Sequence, residues 1–264
     1  MDYQSFSPRE NITIAYHKLE AGARPELPGV VFLGGFMSDM QGSKATFLEQ
    51  LCKEQGRAYL RFDYTGHGKS SGKFTDGTIG SWAQDALDVL DHLTTGPQII
   101  IGSSMGGWIS ILTALKRPER ITGFIGIAAA PDFTERMYRD ELSDQQRHDI
   151  KTMGITYVPS DYGEPYPITR ALIDDGKNQM VMKNETINIS VPTRLLHGKS
   201  DTAVPWQIST MIQNKFISPD VKCHYIPDGD HSLSREQDLI QLQGLLNEIT
   251  ATIIENTNTS SQTA

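Results

Sequence analysis

Cysteine is nearly absent: Cys52 and Cys223 are the only two in 264 residues. No metal-ligand spacing surrounds either, so a disulfide framework and a cysteine-based zinc site are excluded, and both thiols are expected to be reduced, as in the cytoplasm. Positive charge is also short. Lys and Arg total 24 against 32 Asp and Glu, a net charge of −8 at pH 7. With no basic stripe to offset it, this balance argues against a nucleic-acid partner, whose affinity comes mainly from cations on phosphate. No apolar run reaches membrane-spanning length, and Met1-Asp2-Tyr3-Gln4-Ser5 offers neither a basic n-region nor an apolar h-region. The expectation is a soluble cytoplasmic protein with no membrane span. There is no internal repeat.

What is present starts with Ile99-Ile100-Ile101-Gly102-Ser103-Ser104-Met105-Gly106-Gly107-Trp108. A β-branched run passes without a linker into Gly-x-Ser-x-Gly and on into an apolar segment long enough for a helix, the pattern of strand, sharp turn and helix. Small neighbours let strand and helix pass closely while the serine at the apex takes a strained conformation. Ser104 is thereby the candidate nucleophile. The Met105 N–H, at the helix N-terminus, is a candidate donor to a carbonyl oxygen gaining negative charge.

Around this stretch the chain alternates. Residues 1–19 suggest a hairpin. Val30–Leu33, Arg57–Tyr64, Ile99–Ser103, Ile121–Ala130, Pro192–Gly198 and Lys222–Pro227 are strand-like, and helical stripes separate them from Ser43, from Thr78 to Leu93, from Met105, and from Pro205 to Phe216. Continuous apolar strands alternating with helices predict a mostly parallel sheet covered on both faces, in a single domain over 1–264. The rhythm breaks at about 131–190, read as a lid insertion: a helical piece from Thr134 to Met153, a Pro/Tyr-rich loop from Tyr157 to Pro167, and a short helix near Ile168–Ile173. Ser234-x-x-Gln237 reads as a capping box opening the last helix, and 256–264 as a disordered tail. In the lid, Met137, Tyr138, Met153, Tyr157, Tyr162, Tyr166, Met180 and Met182 could line an acyl pocket, though such residues more often pack a lid on its domain.

A serine hydroxyl needs a base, and the base an orienting carboxylate. In open α/β sheets reactive groups gather at the carboxyl ends of strands. His231, in Asp228-Gly229-Asp230-His231-Ser232, follows the last strand and is the candidate base. His197 lies within an apolar strand and reads as a core histidine; His67 sits in a loop whose glycines turn geometry explains. For the acid, Asp201 follows a strand end and Pro205 opens the next helix; Asp132 and Asp230 are rivals. Asp201 is preferred because serine, acid and histidine then fall in the chain order of hydrolases with this turn. The loop after Val30–Leu33 offers the Phe36 N–H as a second oxyanion donor, with Gly35 expected to be intolerant of bulk.

With strands, turn, acid and histidine in place, the sequence resembles the α/β-hydrolase superfamily of serine hydrolases over nearly its whole length. Within it, Arg61-Phe62-Asp63-Tyr64-Thr65-Gly66, Gly96-Pro97-Gln98-Ile99 running into Gly102–Trp108, Arg117-Pro118-Glu119, and Arg194-Leu195-Leu196-His197-Gly198 ending at Val204-Pro205-Trp206 resemble the branch of acyl-protein thioesterases (depalmitoylases) and acyl-glucuronide esterases. The resemblance implies an α/β-hydrolase fold with Ser104, Asp201 and His231 as nucleophile, acid and base, and Phe36 and Met105 as oxyanion donors. It implies cleavage of a carboxylic ester or thioester, on a small molecule or an acylated protein, through an acyl-enzyme and without a metal or organic cofactor. A serine peptidase, a carbon–carbon bond hydrolase and a non-catalytic binding module on the same fold are the alternatives.

Overall fold

A computed structural model describes residues 3–160 and 164–262. The main sheet is built from β1 (Gln4–Arg9), β2 (Ile12–Leu19), β3 (Gly29–Leu33), β4 (Tyr59–Phe62), β5 (Gln98–Ser103), β6 (Ile121–Ile127), β9 (Thr193–Gly198) and β10 (Val221–Ile226). Their spatial order is β1-β2-β4-β3-β5-β6-β9-β10. The β1–β2 hairpin and the β2–β4 pair are antiparallel, and every later pairing is parallel. The strands with continuous apolar runs, β3, β5 and β6, run side by side, and β5, which leads into Ser104, lies centrally between the other two.

Strand alternation sorts the core into two layers. Val31, Leu33, Leu60 and Ile100 face α2 (Ile79–Leu93) and α3 (Met105–Lys116) on one side. Val30, Phe32, Tyr59, Ile99 and Ile101 face α1 (Ser43–Gln55) and α8 (Glu236–Gln262) on the other. Two of these helices show a local reason to start or stop. Gly56, at φ 67°, ends α1 in the left-handed region open to glycine. Thr78 caps α2 by accepting the Ser81 N–H, while Ser81 returns a bond to the Thr78 N–H.

Between β6 and β9 lie α4 (Phe133–Arg136), a wider turn over Met137–Glu141, α5 (Asp144–Met153), β7 (Ile155–Val158), β8 (Tyr166–Thr169) and α6 (Arg170–Asn178). Two expectations are corrected here. The helical piece from Thr134 to Met153 is broken, because Ser143 and Gln146 form a capping box that starts α5 afresh. The stretch read as a Pro/Tyr-rich loop carries an antiparallel pair, with Val158 opposite Tyr166 and Tyr157 opposite Pro167. The β-branched and aromatic residues at its ends outweigh the prolines. The last of the sheet-flanking connections, α7 (Gln207–Lys215), lies between β9 and β10.

The final helix also differs. Ser234 and Gln237 do not form the expected box: Ser234 Oγ donates to the Ser232 carbonyl, and the Asp238 carboxylate accepts the Arg235 N–H at 3.1 Å. A charged acceptor has displaced a neutral one. The helix then runs to Gln262, through residues expected to be unstructured. Thr257 and Thr259 return their hydroxyls to the Ile253 and Glu255 carbonyls, so the polar tail satisfies itself within the helix. Among the described residues no helix is long and apolar enough to cross a membrane.

Candidate active site

β5 ends at Ser103 and α3 begins at Met105, leaving Ser104 alone to make the turn. Its φ of 54° and ψ of −119° lie where a residue with a side chain is strained, at a cost of about 1–3 kcal/mol. Neighbouring backbone holds it there. The Ser104 N–H donates to the Ile127 carbonyl at 2.9 Å, and its own carbonyl accepts from Gly107 at 2.9 Å and Ala130 at 3.0 Å. A Cβ on Gly102 would collide with the Gly106 carbonyl, and one on Gly106 with the Leu33 and Gly34 carbonyls. Those two glycines are what let helix, strand and the β3 loop approach so closely.

His231 arrives from the loop between β10 and α8. That loop is tied to the one after β9, since Ser200 N–H donates to the Gly229 carbonyl at 2.9 Å and Lys199 N–H to Ile226 at 2.8 Å. The Lys44 ammonium, from α1, donates to the Ser232 carbonyl beside His231; burial lowers that amine to about 8. The Asp230 carboxylate is occupied by the Leu233 N–H at 2.9 Å. His231 Nε2 thus lies 3.0 Å from Ser104 Oγ, and its Nδ1 lies 2.7 Å from Asp201 Oδ2.

Asp201 is completely buried at its side chain. Its Oδ1 accepts the Ala203 and Val204 N–H groups, both at 2.8 Å. Burial raises the proton affinity of this carboxyl, but hydrogen bonds from His197 and His231 outweigh it and hold the group well below the usual carboxylate range. Asp201 is therefore ionised across the working pH range.

The rival acids are elsewhere. Asp132, itself at φ 56°, accepts the Val181 and Met182 N–H groups at 2.9 Å each, clamping the end of the insertion rather than meeting His231. Asp230 turns into its own loop. The two cysteines are free, and burial pushes Cys52 up to about 12 and raises Cys223 as well, so neither thiol is a competing nucleophile.

Sequence reasoning missed the part taken by His197. It is buried, as a core residue would be, yet its Nε2 lies 3.1 Å from Asp201 Oδ2 and its Nδ1 2.8 Å from Ser209 Oγ. The available signal was its place four residues before the acid, across the turn that ends β9. His67 is buried among Tyr64, Phe74 and Trp82, which lowers its basicity to about 4.

The Gly34–Phe36 loop runs beside the serine: a Cβ on Gly35 would stand 3.5 Å from Ser104 Cβ and 3.5 Å from the Ser103 carbonyl. These are ordinary contacts, so the expected intolerance narrows to side chains larger than a methyl. The Phe36 ring is boxed edge-on by Phe74, Trp82, Phe133 and Tyr166, with centroids 4.9, 6.0, 5.7 and 5.7 Å away. Met105 is fully buried at the first turn of α3. Of the insertion's Met and Tyr residues, Met137, Tyr138, Tyr166 and Met182 pack on the core. Met153 and Tyr157 are exposed, Met180 is half-buried, and Tyr162 lies outside the described residues.

Comparison with known proteins follows the same lines. A family model described as serine aminopeptidase, S33, matches residues 28–154. The mitochondrial palmitoyl-protein thioesterase ABHD10 of Mus musculus is 36% identical over 238 residues, 89% of this chain and 78% of the relative. The structure of mouse α/β hydrolase domain-containing protein 10 superposes with a TM-score of 0.87 at 33% identity, covering 96% of this chain and all of that one. Est1E from Butyrivibrio proteoclasticus, with ferulic acid bound, shares the fold alone at 21% identity and a TM-score of 0.80, covering 96% of this chain and 99% of its own.

Proposed function

The chain belongs to the α/β-hydrolase family, alongside the mitochondrial palmitoyl-protein thioesterases, and is a hydrolase of carboxylic esters or thioesters; from that premise we propose that Ser104, His231 and Asp201 perform the reaction. The observation that carries the proposal is the unbroken run of hydrogen bonds, 3.0 Å from Ser104 Oγ to His231 Nε2 and 2.7 Å from His231 Nδ1 to Asp201 Oδ2.

Ser104 Oγ attacks the acyl carbonyl as His231 Nε2 takes its proton. Asp201 keeps the second imidazole proton on Nδ1 and stabilises the imidazolium. The N–H groups of Phe36 and Met105 receive the oxyanion of the tetrahedral intermediate, where removing one donor costs about 3 kcal/mol. His231 returns the proton to the leaving group, and a water then repeats the sequence on the acyl-enzyme. Every proton and charge has a protein group to receive it, so the cycle needs no cofactor.

The leaving group separates two substrate classes. A thiol has a pKa of about 8.5, so a thiolate departs with less help from His231 than an alkoxide. The relatives' name supports long acyl thioesters on proteins as the natural substrate. The Met and Tyr residues between 131 and 190, read as a lid, suit an acyl chain. The two free thiols suit a reducing compartment, here read as the cytoplasm although the relatives are named mitochondrial.

The test is hydrolysis of matched oxygen esters and thioesters of increasing acyl length, with Ser104→Ala as blank. A Ser104-dependent preference for long-chain thioesters supports the acyl-protein thioesterase reading; a preference for short or aryl esters replaces it with a carboxylesterase. The name of the matching family model favours a second reading, peptide hydrolysis. An aminoacyl p-nitroanilide in the same panel decides it.

A further inference from the structure

Asp201 carries more than a triad requires. Its Oδ2 receives not one imidazole but two: His231 Nδ1 at 2.7 Å and His197 Nε2 at 3.1 Å. His197 Nε2 also lies 3.0 Å from the Val204 carbonyl. A carbonyl and an ionised carboxylate are acceptors only, so Nε2 must carry a proton and share it between them. The other ring nitrogen, Nδ1, is 2.8 Å from Ser209 Oγ, on α7. Both the His197 and the Ser209 side chains are buried, and no solvent competes for these bonds.

We propose that His197 is a positioning residue for the triad: its Nε2–H shares Asp201 Oδ2 with His231, fixes the carboxylate's orientation, and limits how strongly that oxygen holds a proton on His231. Two physical consequences follow. Ala203 and Val204 fix Oδ1 and His197 fixes Oδ2, so the carboxylate cannot rotate away from His231. A second donor also withdraws negative charge from the shared oxygen, so His231 returns its proton to the leaving group more readily. Ser209 holds the His197 ring in register. The inference rests on Ser104, His231 and Asp201 being the catalytic residues.

The remaining charged groups nearby have partners of their own. Arg136, on α4, donates to the Ala203 carbonyl at 3.0 Å. Lys44 reaches the Ser232 carbonyl, and Asp230 holds the Leu233 N–H. Tyr225, paired with His197 across β10 and β9, is bonded through its hydroxyl to Thr210 at 2.6 Å. Lys199 lies over the rings of Trp206 and Tyr225. None of these contacts is made to the side chain of His197 or Ser209.

The experiment compares kcat and KM from pH 5 to 9 for wild type, His197→Leu, His197→Gln and Ser209→Ala. The substrate is an ester or thioester that wild type cleaves, with Ser104→Ala as blank, and circular dichroism and Tm establish folding. Without the second donor, Asp201 holds the His231 proton more tightly. His197→Leu should therefore lower kcat about 10- to 100-fold with KM little changed, and move the acid limb of kcat/KM to higher pH. His197→Gln, whose amide N–H stands near the lost Nε2–H, should recover most of both effects, and Ser209→Ala should shift the same way by less.

A folded His197→Leu with unmoved acid limb overturns the proposal. So does a loss that Gln fails to recover and that simply follows Tm. If His197→Leu does not fold, Ser209→Ala decides, and an unmoved limb there overturns it. Absence of Ser104-dependent turnover in wild type overturns the triad and this inference together; normal wild-type turnover with unaffected variants removes this inference alone.

Discussion

His231 Nε2 stands 3.0 Å from Ser104 Oγ, although the two residues are 127 positions apart in the chain. Neither is placed by its own local sequence alone. Ser104 is held at the end of the central strand by backbone bonds to β6, and His231 by a loop pinned to β9's turn and to Lys44. The mutational expectations follow from how those supports divide the work.

Ser104→Ala and His231→Ala remove the nucleophile and its base without removing structure. Each should lower kcat by about 10³- to 10⁶-fold while leaving the circular dichroism spectrum unchanged, and the double variant should be no worse than the single ones. Near-normal turnover in either single variant would remove the mechanism.

Asp201→Asn and Asp132→Asn separate the two strand-end carboxylates. Asparagine at 201 presents an N–H where His231 Nδ1 needs an acceptor, so kcat should fall about 10⁴-fold. At 132 it tolerates the left-handed backbone and keeps an acceptor for Val181 or Met182, so turnover should stay near wild type with about 1 kcal/mol lost in urea unfolding. The reverse pattern would move the acid to residue 132.

Gly106→Ala and Gly35→Ala test the packing around the turn. An added Cβ at Gly106 meets two backbone carbonyls that cannot step aside, so stability should fall by about 1–3 kcal/mol or more and activity with it. At Gly35 the nearest contacts are 3.5 Å, so alanine should leave stability within about 1 kcal/mol of wild type. Equal denaturation midpoints for the two variants would contradict the close approach of α3 to the β3 loop.

His67 gives the folded state a defined acid sensitivity. Burial lowers its affinity for protons from 6.5 to about 4, so between those values the unfolded chain binds a proton that the folded chain does not. Its contribution is whole above pH 6.5, and roughly 3 kcal/mol of it is lost as pH falls to about 4. Unfolding free energies from pH 7.5 down to 4.5 should fall less steeply for His67→Leu than for wild type. Parallel curves would place the acid sensitivity elsewhere.

Much of this was legible in the chain. Continuous apolar runs such as Val30–Leu33 and Ile99–Ile101 have few stable placements besides a buried parallel sheet, and Gly102 and Gly106 flank a serine in a way that only a tight turn explains. What escaped depends on partners distant in sequence or on competition between local groups. The bond from His197 to Ser209 exists only once α7 packs on β9, and the one to Asp201 only once the turn after β9 folds the acid back onto the ring. Asp238 wins the helix start from Ser234 because it is charged, a preference of strength that spacing does not encode. The β7–β8 pair hides behind Pro159, Pro165 and Pro167, and the helical course of Thr257 and Thr259 behind a composition that suits disorder.

The most direct test of Ser104 as an activated nucleophile is covalent labelling. Wild type, Ser104→Ala and His231→Ala would each be treated with a fluorophosphonate, and the adduct weighed on the intact protein and located by peptide mapping. A single adduct per chain on Ser104, absent in Ser104→Ala and strongly slowed in His231→Ala, is the expected result. Labelling at another residue, or none by an enzyme that still turns over its ester or thioester, would contradict the mechanism.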